Sequence, residues 1–363
     1  MKIKPIAGDR LYDLLQEEYL DLLPSTLQGK TFNGEYTKKC EELIKSKSGR
    51  KHAFMVHSGT SALTIAMLTG SIGPGDEVIC PNYSYVASVN QIGLVGGIPV
   101  FVDVDKYGHI DVDKIEQNIN ERTKAIVVVG LYGDNPNMER IDIIAKKYNL
   151  FVINDAAQSY FSFFKNKMCD TFGDVAAYSF GRNKVCSTFV TSGCITTDSD
   201  EIAYKIERMR TNGKTERDAD IEFLGINSQP HEDKCLQVWL SLQHVDNWIK
   251  RRIQIGEIYD KEFSNAGINF RPLPPDNIPV RQKYAVFFKD REKACDALLD
   301  VGIETQKHYR DNFGQGVLSK TKIQDDKNTR FYNSHSLSIP MHSFLTDLEV
   351  EYVIEKIKDF SHM

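Results

Sequence analysis

Two rhythms of apolar and polar positions organise the first half of this chain. Short continuous apolar runs at Ala53–Val56, Glu77–Cys80, Ile98–Asp103, Lys124–Val129, Leu150–Ile153, Val175–Phe180 and Gly193–Thr197 predict buried strands. Between and before them, helical spacing marks Asp9–Leu23, Gly34–Lys47, Ser61–Leu68 and Met138–Tyr148. Strands that alternate with helices of ten or so residues predict an α/β fold, with a mainly parallel sheet between helix layers. Ligands in such sheets collect beyond the carboxyl ends of the strands. The pattern changes after Thr197. A helix over Gln237–Arg252, with Trp239, Leu240, Leu242 and Val245 as its apolar residues, leads to a proline-rich crossing at Phe270–Pro279. A strand at Tyr284–Phe288, a helix at Ala294–Val301 and an extended Ile303–Gln306 then predict a smaller carboxy-terminal α+β domain. The expected division is 1–245 and 246–363, in keeping with a chain of 363 residues that is long for one core.

The strand ends carry candidate chemistry. The run Val175–Phe180 breaks at Gly181 and reaches Lys184. A lysine held near buried strands loses its proton readily and can act as an amine nucleophile, although this segment alone fits a solvated strand cap equally well. Asp155 ends another apolar run. Pyridoxal phosphate chemistry requires such a pair: a lysine for the Schiff base and a carboxylate that keeps the pyridine nitrogen protonated. It also requires a phosphate cradle. His57-Ser58-Gly59-Thr60-Ser61, at a strand-to-helix turn, offers backbone amides and a positive dipole end, while an ordinary N-cap accounts for the same tripeptide. Tyr85 follows a strand end, where an aromatic either covers a flat ring or packs in the core.

Composition narrows the field. A net charge of −5 gives no basic field for nucleic acid, and no apolar segment approaches a membrane span. Met1–Pro5 lacks a secretory apolar core, and seven cysteines without CxxC spacing fit a reducing cytosol, so a cytoplasmic protein is expected. Nine histidines form no HxxxH cluster, so no metal site is indicated.

Ser58-Gly59-Thr60-x-Ala62-Leu63, Asp155-Ala156-Ala157-Gln158 and Ser179-Phe180-x-x-x-Lys184 form an ordered set. In kind, order and spacing it resembles the sugar aminotransferases of the DegT/DnrJ/StrS family. Ile98–Asp103, Gly302–Tyr309 and Leu337–Pro340 with the closing helix Thr346–Phe360 extend the likeness over about Phe32–Phe360. The resemblance implies a fold-type-I, pyridoxal-5′-phosphate-dependent transferase. Lys184 would then be the Schiff-base lysine and Asp155 the partner of the pyridine nitrogen. Gln158 would lie near the ring's phenolic oxygen, Tyr85 would stack on the ring, and Gly59, Thr60 and Ser179 would hold the phosphate. It also implies a homodimer with shared active sites, in which an asparagine from the second subunit completes the phosphate site. Asn227, in Leu224-Gly225-Ile226-Asn227, is the candidate.

Two segments depart from the family pattern. Ser187–Gly193 replaces the usual Gly-Asp/Glu-Gly-Gly loop, and Gln229 stands where an arginine is common. The expected reaction moves an amino group from an amino acid, glutamate foremost, to a nucleotide-linked keto sugar, in the biosynthesis of amino sugars and cell-surface polysaccharide. Substrate selection falls to Thr188–Ser192, Ser228, Gln229 and the His308-Tyr309-Arg310 segment, which offer hydroxyls, amides, an imidazole and a guanidinium. One alternative is a pyridoxamine-dependent sugar dehydratase, which resembles the family with histidine in place of the lysine. The other is a non-enzymatic, cofactor-binding regulator, which would need a nucleic-acid-binding module that the sequence does not offer.

Overall fold

A computed structural model describes residues 2–214, 219–313, 315–316, 318 and 325–362. Its strands are β1 (His52–Val56), β2 (Glu77–Pro81), β3 (Ile98–Val102), β4 (Thr123–Val129), β5 (Phe151–Asp155), β6 (Phe163–Phe164), β7 (Lys167–Met168), β8 (Val175–Phe180), β9 (Ser192–Thr197), β10 (Asn277–Ile278), β11 (Tyr284–Phe287) and β12 (Ser336–Ile339). Its α-helices are α1 (Gly8–Gln28), α2 (Glu35–Ser48), α3 (Gly59–Thr69), α4 (Ala87–Leu94), α5 (Met138–Tyr148), α6 (Asp200–Met209), α7 (Glu232–Asn265), α8 (Arg291–Asp300), α9 (Lys327–His335) and α10 (Asp347–Phe360).

Seven strands form the central sheet in the order β1-β9-β8-β5-β4-β2-β3. Six run the same way; β9 is antiparallel to both of its neighbours. The apolar runs of the sequence belong to these strands because both faces of the sheet are covered. In β4 the period-two alternation is visible in the packing. Ala125, Val127 and Val129 join the cluster around α3 and α4, whereas Ile126 and Val128 join the cluster around α5. Helix α3 is apolar on nearly every side because it lies between the sheet and helices α4 and α6. Helices α1, α2 and the first half of α7 cover the opposite face, with Leu11, Leu15, Cys40, Ile44, Leu236 and Leu240 in one cluster.

The carboxy-terminal part has a core of its own. The hairpin-like pair β11 and β12 packs on α8 and α10, with Leu298, Ile303, Leu337, Val353 and Ile357 buried. Ile3, from the opposite end of the chain, enters this core through backbone bonds to Gly302 and Glu304. Helix α7 serves both cores. It runs 34 residues, through position 245 without a break, and its last turns contribute Ile255, Tyr259 and Phe263. Its first residue, Glu232, accepts from the backbone amides of Gly34, Tyr36 and Thr37 and so caps α2. Among the described residues, no helix is long and apolar enough to cross a membrane.

Candidate active site

The carboxyl ends of β1, β5 and β8 open on a cavity of about 480 Å³. Ser58, Gly59, Thr60, Tyr85, Asp155, Gln158, Ser179 and Lys184 all line it. So do Ser88, Arg182, Thr191, Lys283, His308 and Tyr309.

One wall is the start of α3. Ser58 is its N-cap, the side chain accepting from Ser61 N at 3.0 Å. The first-turn amides of Gly59 and Thr60 have no acceptor within the helix, and the dipole end faces the cavity. Glycine is required here by space. A Cβ at Gly59 would stand 2.6 Å from Ser179 Cβ, and one at Gly193 would stand 2.5 Å from the Ser58 carbonyl carbon. Ser179 and Gly193 are register partners in β8 and β9, so the end of this strand pair and the helix start close into one cradle. Free amides, a dipole end, hydroxyls and no side-chain bulk suit a phosphate.

Asp155 ends β5, buried beside the helix start. Its Oδ2 accepts from Ser88 Oγ at 2.6 Å and its Oδ1 from Ala157 N at 3.1 Å. Burial raises its pKa; the Ser88 hydrogen bond, the Lys184 charge and the Ala157 amide oppose that rise. Lys184 sits in the turn after β8, its amide donating to Gly181 O at 3.0 Å. Burial lowers the pKa of its ammonium, and Asp155 works in the other direction. A basic amine and a carboxylate thus face one pocket, each moved by burial toward its neutral form.

The far wall comes mainly from the carboxy-terminal part of the chain. Tyr309 Oη accepts from Gln158 Nε2 at 2.9 Å and from Lys283 Nζ at 2.6 Å. Tyr83 Oη accepts from the Tyr309 amide at 2.8 Å, bonds to Tyr132 Oη at 2.8 Å and also donates to the His308 carbonyl, which pins this segment to the loops after β2 and β4. Burial, then the Lys283 and Lys184 charges, push the His308 imidazole down to about 2, so it is neutral. Tyr85 is 56 % exposed and meets Tyr309 edge-on at 6.3 Å.

Other expected residues lie elsewhere. Arg310 is exposed and does not line the cavity, although its two predecessors do. Asn227 is exposed too, outside the cavity, and forms a bridge with Thr211. Ser228 is buried and bonds to the amide of His57. From the unusual 187–193 loop only Thr191 lines the cavity. The loop is fastened instead by Gln237 Oε1 of α7, which accepts from the amides of Phe189 and Val190 at 2.9 and 3.2 Å. Four polar cavity residues escaped the sequence reading: Ser88, Arg182, Asn183 and Lys283. Ser88 stands one turn after Tyr85, and that spacing was its only signal. Lys283 ends the polar run Arg281-Gln282-Lys283 and carried no signal in the sequence.

The cradle, the buried acid and the amine fit pyridoxal phosphate in both charge and shape. Fold and site define a pyridoxal-phosphate-dependent aminotransferase. The chain belongs to the DegT/DnrJ/EryC1/StrS aminotransferase family, whose model matches residues 13–358. It is 35% identical over 325 residues to a dTDP-3-amino-3,6-dideoxy-alpha-D-galactopyranose transaminase of Aneurinibacillus thermoaerophilus, covering 89% of each chain. It is 30% identical to a UDP-2-acetamido-2-deoxy-3-oxo-D-glucuronate aminotransferase of Pseudomonas aeruginosa, covering 90% of each. The fold superposes on that of Streptomyces venezuelae DesV in complex with a ketimine intermediate with a TM-score of 0.95, at 25% identity, covering 100% of this chain and 99% of that one.

Proposed function

We propose that this enzyme transfers an amino group from glutamate to a nucleotide-linked keto sugar, as a cytoplasmic homodimer that shares its two active sites. The observation that carries the reading is the cavity shared by Lys184 and Asp155 at the cradle formed by Gly59, Thr60 and Ser179. When bound, pyridoxal phosphate supplies the electron sink that makes a carbon next to nitrogen acidic. The chain supplies the rest. Asp155 would hold a positive pyridine nitrogen, and the Ser88 hydrogen bond orients that carboxylate and favours its ionised form. Lys184 Nζ, its basic form favoured by burial, takes the proton from the substrate carbon and returns it. Tyr85 covers one side of the pocket, and we assign Asn227 to the phosphate of a second subunit, a role its exposure on the protomer allows.

The sugar reading is supported by the named activities of the relatives and by polar residues of the cavity lining, among them Arg182, Asn183, Thr191 and His308. A dehydratase of the related kind is disfavoured by the lysine at 184. The test is a single turnover in which amine-loaded enzyme is mixed with each candidate acceptor. Nucleotide-linked keto sugars are expected to react. Fast reaction with an aromatic or branched 2-oxo acid, and none with any nucleotide sugar, would overturn the proposal.

A further inference from the structure

Lys283 is the cavity's second lysine, and its surroundings do not match its charge. It sits immediately before β11, and it is 9 % exposed. Its Nζ donates to Tyr309 Oη at 2.6 Å and to Gln158 Oε1 at 3.2 Å, both uncharged acceptors. The formal charges that act on it most strongly are Lys184 and Arg252, both cations. Among the described residues Arg252 has no acid paired with it either; its Nη1 donates to the backbone carbonyls of Arg281, Gln282 and Met341. An ammonium buried among cations and neutral acceptors is costly unless an anion arrives to pair with it.

We propose that Lys283 binds the α-carboxylate of the amino-acid donor, and that it therefore serves one of the two half-reactions more than the other. The proposal rests on the aminotransferase reading above. Four kinds of anion enter this site, one of them the donor's γ-carboxylate, which two methylene groups hold away from the reacting carbon. The cofactor phosphate is drawn to the start of α3, whereas Lys283 contacts Gln158, just after β5, and Tyr309 of the carboxy-terminal part. The diphosphate of a nucleotide sugar is separated from its reacting carbonyl by the sugar ring. The donor's α-carboxylate is different, because it is bonded directly to the carbon whose nitrogen takes the place of the Lys184 amine. It must therefore lie beside Lys184, where Lys283 supplies the positive charge. A keto sugar carries no carboxylate at that carbon, so acceptor binding makes no such demand.

Burial, followed by the charges of Lys184 and Arg252, lowers the pKa of Lys283 well below its usual value. The other titratable groups around it are His308, held neutral, Tyr309 and Tyr132, both with raised pKa values, and Asp155 across the cavity. A carboxylate that settles on Lys283 stabilises its protonated form, so donor binding takes up a proton.

The experiment uses the cofactor-loaded, full-length enzyme with Lys283→Met, Lys283→Gln and Lys283→Arg. Single-turnover kcat/KM is measured for glutamate, for 4-aminobutyrate, which is glutamate without its α-carboxylate, and for the keto-sugar acceptor. Wild type is expected to prefer glutamate strongly. In Lys283→Met and Lys283→Gln that preference falls by roughly 10- to 100-fold, the worth of one hydrogen bond to a charged group, and Lys283→Arg restores most of it. The donor half-reaction loses more than the acceptor half-reaction. Calorimetry of 2-oxoglutarate binding, in two buffers of different ionisation heat, shows proton uptake in wild type that Lys283→Met lacks. An unchanged preference for glutamate over 4-aminobutyrate, or an equal loss in both half-reactions, overturns the proposal. If wild type reacts with glutamate but with no keto sugar, the sugar reading fails while the comparison of the two donors still decides the role of Lys283.

Discussion

Ser88 Oγ donates to Asp155 Oδ2 at 2.6 Å, and both side chains are buried. The bond opposes the rise in pKa that burial imposes on the carboxyl, so Ser88 favours the ionised form of Asp155. Removing the hydroxyl as Ser88→Ala is expected to slow the donor half-reaction by about 10-fold or more, the equivalent of about 1.5–3 kcal/mol, with cofactor still bound. Asp155→Asn goes further: the shape stays, the charge goes, and turnover falls by several orders of magnitude. Stopped-flow absorbance after mixing with glutamate reads both. Near-native turnover in Asp155→Asn would mean that another carboxylate does this work.

Lys184 is expected to carry the cofactor. Borohydride reduction of the yellow enzyme followed by peptide mapping should label Lys184, and Lys184→Ala should lose at least the roughly 10²–10⁴-fold contribution of general acid–base catalysis. The nearby Lys283 is the internal control, since a label there would exchange the two assignments.

Assembly is tested through Asn227. If its amide reaches the phosphate held by a second subunit, Asn227→Ala weakens cofactor retention by about 1.5–3 kcal/mol while each protomer stays folded. Equilibrium dialysis of the cofactor, with sedimentation run in parallel, measures both. A fully active monomer would rule the shared site out.

The loop after β4 and the 270–279 crossing are joined by a buried ion pair. Arg271 Nη1 donates to Asp134 Oδ2 at 2.8 Å, Nη2 donates to Oδ1, and His109 Nε2 lies 2.6 Å from Oδ1. Burial pushes the Asp134 carboxyl up, but the Arg271 charge and hydrogen bonds, with His109, outweigh it and hold the carboxyl at about 2. Because the folded value lies below the unfolded value of about 3.9, the stabilisation is complete above about pH 4 and is lost as pH falls toward 2. At pH 7, Asp134→Asn is expected to cost about 3–5 kcal/mol, since it strands a buried guanidinium. Urea midpoints from pH 7 to pH 3 should converge for the two proteins. Parallel curves would remove Asp134 from the account.

Much of the fold was legible because its strands are buried on both faces and so appear as unbroken apolar runs; β4, β5 and β8 fall within a few residues of their expected bounds. The cavity was legible as far as its residues follow strand ends directly, as Asp155 and Lys184 do. Lys283 was not, because only long-range folding carries a polar run after the crossing to within 3.2 Å of Gln158, 125 positions earlier. The two-residue strands β6, β7 and β10 are too short to have a period. The length of α7 was available and overlooked, since Ile255, Tyr259 and Phe263 continue the helical spacing past Arg252. Arg310 shows the opposite error: adjacency in sequence to His308 and Tyr309 did not bring it to the cavity wall.

Helix α7 also acts as a rotary index between two halves of the enzyme. Gln237 near one end grips the loop after Lys184, and Tyr259 and Phe263 near the other end are embedded beneath β11. Each residue of an α-helix advances the azimuth by about 100° and the rise by about 1.5 Å. Deleting one residue between Gln237 and Tyr259 would therefore leave the first half in place and turn the small-domain face of the helix by more than a quarter of a revolution. Lys283 and His308 would swing out of phase with Lys184. Length changes in α7 are thus forbidden singly, whereas three or four residues together, close to a full turn, restore the phase and cost only translation.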